Sequence, residues 1–132
     1  NLSRCTSKKK LKKRKVCLGA NGLTLVALCL ANQMAGEGTA SLQDMKEIGQ
    51  FTIEYMQRED GTFYSLYKPW VEPYGPDDSF VSLYYPGEAA LGLVFLFEAL
   101  QEAGEIEASK YFLEGSAKAL EGLANSWEPY DD

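Results

Sequence analysis

The residues of this chain that could do chemistry are carboxylates and flat aromatic rings. Glu88 follows Pro86 by two positions in Tyr85-Pro86-Gly87-Glu88. Proline suits the first turn of a helix, so Glu88 falls where the helix dipole and free backbone amides favour a negative charge. It reads either as a general acid or base, or as a good N-terminal helix residue. Asp77 and Asp78 are adjacent and precede Ser79. They could supply the second carboxyl of a pair flanking a glycosidic bond or bind a divalent cation, and the same pattern serves as turn residues. Tyr67, Trp70, Tyr74, Tyr84 and Tyr85 fall within 19 residues. Rings with a polar tip suit stacking on sugars and lining of clefts, and equally suit packing a loop over the end of a helical array.

Composition removes several other chemistries. The chain has no histidine, which excludes Ser-His-Asp and Cys-His catalysis and argues against a zinc site. Cys5, Cys17 and Cys29 are odd in number and lack metal-type spacing. Cys29 lies in an apolar run and reads as a small core residue. With no disulfide framework, a reducing compartment, the cytoplasm, is expected. No metal or other cofactor is expected from these spacings.

The net charge of −6 conceals an asymmetry. Residues 1–15 hold eight of the 13 bases and no acid, whereas residues 16–132 hold five bases against 19 acids, a balance of −14. So acidic a body repels phosphate backbones, and nucleic acid is expected only through the basic run Lys8–Lys15. That run reads as a solvated arm, or as a segment for RNA, anionic lipid or an import receptor. The longest apolar stretch, Leu23 to Ala31, is short for a bilayer, so no membrane partner is expected. The basic N-terminus does not carry the apolar core and cleavage site of a signal peptide.

The elements that would position these side chains are four helices. Gly22 to Ala35 is apolar on every side and stops at Gly36, a natural C-terminal cap. Ser41-Leu42-Gln43-Asp44 resembles a capping box and opens an amphipathic helix to about Gln57, with Leu42, Met45, Ile48, Thr52, Tyr55 and Met56 inward. Pro86 opens a second nearly all-apolar helix, Gly87 to Ala103, which ends at Gly104. Residues 106–124 are amphipathic again, with Ala108, Tyr111, Phe112, Ala119, Leu120 and Leu123 inward. Glu98 and Glu102 fall at the exposed end of the third helix. The pattern repeats at an offset of 65 residues, drifting to 68 by the second helices, as in repeat architectures.

The domain plan is therefore a basic arm over 1–17 and one helical domain over 18–132. Its two hairpin repeats, 18–57 and 86–125, are joined by residues 58–85. The expected fold is all-α, a two-layer array with the all-apolar helices inside and the amphipathic ones outside; an ordinary four-helix bundle is the alternative. Two hairpins leave end faces open, to be covered by further hairpins of a parent chain or by a second subunit. The connection is longer than helical connections need, and Asp60-Gly61 marks a turn. Thr62–Tyr67 and Ser79–Tyr84 are rich in β-branched and aromatic residues and are expected to pair as a short β-hairpin.

Phe51 to Phe63 (FTIEYMQREDGTF) resembles the repeat element of terpene-cyclase-like and other α/α-toroid proteins. Tyr84 to Leu91 (YYPGEAAL) and Leu18 to Leu23 (LGANGL) resemble the inner-helix starts of six-hairpin glycosidase-like proteins. The resemblance covers about half of residues 18–125 and implies a partial α/α toroid, two hairpins of a ring that needs about twelve helices. It also implies a carbohydrate-active domain with a sugar or glycan as partner. Glu88, and with it Asp77 or Asp78, would then work at a central cavity lined by the aromatic loop. The alternative is a non-catalytic helical-repeat module for interaction or oligomerisation.

Overall fold

The computed structural model describes residues 14–70 and 72–126. Residues 8–13 of the basic run, and Cys5 with them, lie outside the described residues. The described chain is mostly helical with a small sheet: β1 (Val16–Cys17), α1 (Leu18–Ala35), α2 (Leu42–Met56), β2 (Leu66–Lys68), β3 (Gly75–Asp77), α3 (Tyr85–Glu102) and α4 (Ile106–Ser126).

Each helix boundary has a local cause. Ser41 Oγ accepts the Asp44 amide at 3.2 Å and so caps α2. Pro86 sits in the first turn of α3. Gly36 and Gly104, at φ of +102° and +79°, turn the chain after α1 and α3 through a region other residues avoid. α1 starts at Leu18, four residues before the sequence suggests, because β1 delivers the chain directly into it. Its first amide, that of Leu18, donates to the Ser65 carbonyl at 3.0 Å. The paired helices begin at offsets of 67 and 64 residues, so the drift runs opposite to the one read from the sequence.

Glycines set how the helices meet. A β-carbon at Gly22 would overlap the backbone of Glu88 and stand 2.7 Å from the Ala89 nitrogen; one at Gly92 would stand 2.5 Å from the Gly22 carbonyl oxygen. Gly19 lies beneath Tyr85 and Glu88. Early residues of α1 thus face early residues of α3, and the two helices run parallel in direct contact. The amphipathic pair behaves likewise, with Gly49 against Phe112 and Gly115 against Ile53. Leu25, Cys29, Met45, Met56, Leu93, Leu96, Leu100 and Phe112 form the centre of one shared core.

Three expectations about burial change. Tyr55, Tyr111 and Leu120 are exposed rather than inward, since Gly115, Ser116, Ala119 and Gly122 provide the narrow seam of α4. Ser116 Oγ donates to the Ala90 carbonyl at 3.0 Å across that seam. α1, although apolar all round, is covered on one side only: Leu23, Leu30 and Met34 are 51%, 39% and 87% exposed. It is also long and apolar enough to cross a membrane, while its other side packs on the core.

The short β-hairpin is present with a different pairing. β2 pairs antiparallel with β3, Leu66 opposite Asp77 and Lys68 opposite Gly75, and β1 joins the other edge of β2. Asp60 Oδ1 accepts both the amide and the hydroxyl of Thr62, at 2.9 and 2.6 Å. This bends residues 60–63 into a turn, which Gln57 and Phe63 close with an isolated bridge. Residues 82–84 are held at the start of α3, leaving 66–68 and 75–77 to pair.

Candidate functional site

The N-terminal ends of α1 and α3 lie side by side, and the 58–85 connection folds back over them. Ser65 and Ser82 make the joint. Ser65 Oγ accepts the Ser82 amide at 3.0 Å, and Ser82 Oγ accepts the amides of Tyr84 and Tyr85 at 3.1 and 3.2 Å. Ser82 thereby satisfies backbone donors at the start of α3 that the Tyr84 side chain does not. Ser65 and Ser82 are buried, as such fully engaged hydroxyls should be.

Glu88 sits in the first turn of α3, half-buried, with its carboxylate and the Tyr85 ring lying over Gly19. Any side chain at Gly19 would displace them. Tyr85 also meets Cys17, the residue that precedes α1. The Cys17 side chain raises the Tyr85 phenol above its usual pKa, with desolvation and the Glu88 charge acting in the same direction. Phe80 packs edge-on against Tyr85, with ring centres 5.8 Å apart. Glu88, Tyr85, Cys17 and Phe80 therefore form one cluster at this end.

The other candidates separate from it. Asp77, on β3, is ion-paired with Lys15, and its Oδ1 accepts the Ser79 amide at 2.9 Å. The Lys15 ammonium and the Ser79 donors hold its carboxyl well below the usual range. Asp78 lies 3.5 Å from the Arg58 guanidinium. Both aspartates hold the loop in place. Lys15, the end of the basic run, is thus fixed on the sheet, and the arm assigned to 1–17 ends before β1.

The aromatic residues divide too. Tyr67 packs edge-on against Phe51 and Tyr55 of α2, at 5.3 and 5.7 Å. Trp70 and Tyr74 stand exposed near the tip of the β2–β3 hairpin, where Glu72, Pro73 and Tyr74 line an open depression of about 500 Å³. Tyr84 is 78% exposed beside the cluster at α3. Among the described residues, no three histidine, cysteine, aspartate or glutamate side chains converge as a metal site.

Arg58 and Cys17 are the contributors that sequence reasoning did not single out. The Arg58 guanidinium donates to the Phe63 carbonyl at 2.8 Å and lies 4.0 Å over the Tyr64 ring. An arginine next to Asp-Gly and aromatics was the available signal. Cys17 carried no signal, because its neighbours come from 68 residues away.

No protein-family model, curated protein or solved structure matches this chain.

Proposed function

We propose that the chain is a two-hairpin part of an α/α toroid that handles a glycan at the N-terminal end of its inner helices. The observation that carries this reading is the convergence of loop and helix starts. α1 and α3 run parallel as neighbours, and the connection between the hairpins returns to the end where Glu88 and Tyr85 sit. Parallel neighbours in each layer are what stacked hairpins produce, whereas an up-and-down bundle places its first and third helices on a diagonal. Glu88 is the acid or base of this site. Trp70, Tyr74 and Tyr84 offer exposed ring faces for sugar stacking. The aspartates act through the loop they brace. A reducing compartment suits the free Cys17 and Cys29.

Glu88→Gln keeps the shape and removes the ionisable group. Turnover of a glycan by the parent chain should disappear in the variant while its melting temperature stays within about 1 °C, as expected for a surface substitution. Unchanged turnover in Glu88→Gln would overturn the assignment.

A second reading is a non-catalytic interaction module, favoured by the uncharged face of α1 that carries Leu23, Leu30 and Met34. Under this reading the purified chain self-associates in sedimentation experiments. It also turns over nothing across a broad glycan panel.

A further inference from the structure

The opposite end of the helices holds a cavity of about 800 Å³, within the size range of small-molecule sites. It opens where α1 and α3 finish, under the loop from Gly36 to Ser41, with Leu42 and Ala99 supplying apolar wall. Glu37 and Glu102 lie on its lining, and among the described residues no base lies there. Neither α1 nor α3 has a basic side chain in its last turn, so the partial negative charge of both carboxy-terminal ends is uncompensated. Lys46 of α2 is taken up by Glu105 at 2.7 Å.

The polar groups of the lining say more about the ligand. Both amide atoms of Asn32 are engaged by the Ala40 backbone, at 2.7 and 3.0 Å, and the Ser41 hydroxyl accepts the Asp44 amide. These side chains fix the loop that roofs the cavity and leave the carboxylates as its free ionic groups. Cys29 on the cavity wall is consistent with a negative surrounding, since burial and then the charge of Glu98 both raise its thiol pKa.

We infer that this cavity binds a small aliphatic ammonium ligand, with its charge between Glu37 and Glu102 and its methylenes on Leu42 and Ala99. An anion meets two carboxylates and no donor set. A neutral ligand of the same shape forgoes the ionic contribution. The site is remote from the Glu88 end and stands independently of the glycan reading.

The test uses n-butylammonium as probe, with n-butanol and butyrate as neutral and anionic analogues, followed by amide chemical shifts of the whole chain. Saturable shifts at Gln33, Gly38 and Ala99 are expected with butylammonium and not with butyrate. Glu37→Gln and Glu102→Gln should each weaken binding about two- to fivefold, as partly solvated ion pairs do, and together by more than either alone. Both positions are exposed, so the variants should keep the wild-type melt. The inference is overturned by any of three results: no saturable response up to about 50 mM probe, equal binding of butanol, or unchanged binding in the double variant.

Discussion

The contact between α1 and α3 makes a prediction with a definite sign at each of two glycines. Gly22→Ala places a methyl group against the backbone of Glu88, with the Ala89 nitrogen 2.7 Å away. Ordinary contacts need about 3.5–4.0 Å, so the helices must separate by about 1 Å. Neither obstructing group is a side chain that can rotate aside. Overpacking of this kind costs about 1–3 kcal/mol, and rigid backbone on both sides points to the upper part of that range. Alanine's better helix propensity returns up to about 1 kcal/mol, leaving a net loss of about 2 kcal/mol. For a domain of this size the melting temperature should fall by about 8 °C. Gly87, also in α3, has nothing within 4 Å of its added β-carbon. Gly87→Ala should therefore stabilise the fold by about 0.5–1 kcal/mol. Gly22→Ala with Gly92→Ala should cost less than the sum of the singles, because both relieve the same close approach. Urea denaturation followed by helical circular dichroism reads all four proteins as midpoint shifts at constant slope. A Gly22→Ala midpoint equal to or above that of the wild type would refute the parallel, glycine-spaced contact.

Two further predictions concern the loop that covers the candidate site. Arg58→Gln removes a charged donor to the Phe63 carbonyl and the stacking over Tyr64, for a loss of about 2 kcal/mol. Lysine at this position should recover little, since it lacks the planar fork, and denaturation midpoints of the two variants check this. Asp77 has a depressed folded-state pKa because of Lys15 and Ser79. Its contribution is therefore fully present above the unfolded aspartate value of about 3.9 and is lost as pH falls through the lower folded-state value. The stability difference between wild type and Asp77→Asn should hold steady above about pH 5 and shrink under acid. A difference that grows with acid would contradict the ion pair.

Much of the helical plan was legible because it is encoded within a few residues. Ser41 and Asp44 form the cap their spacing suggests, Pro86 opens α3, and Gly36 and Gly104 turn the chain where a side chain would strain it. The start of α1 was not legible, since Leu18-Gly19-Ala20-Asn21 has weak local helix preference and is held by Ser65 from another segment. Strand pairing was misplaced for a similar reason. Thr62–Tyr67 has suitable side chains, but its first residues are consumed by the Asp60 turn, and its partner segment ends in the Ser82 cap.

The candidate site divides in the same way. Residue types and the first-turn position of Glu88 follow from the sequence, because helix starts are local events. That Glu88 shares its surroundings with Tyr85 and Cys17, while Asp77 and Asp78 answer to Lys15 and Arg58, depends on contacts between distant segments. The burial of α1 on one side alone belongs to the second class. Hydrophobicity states that a helix prefers to be covered, and the neighbours present in three dimensions decide which of its faces are covered.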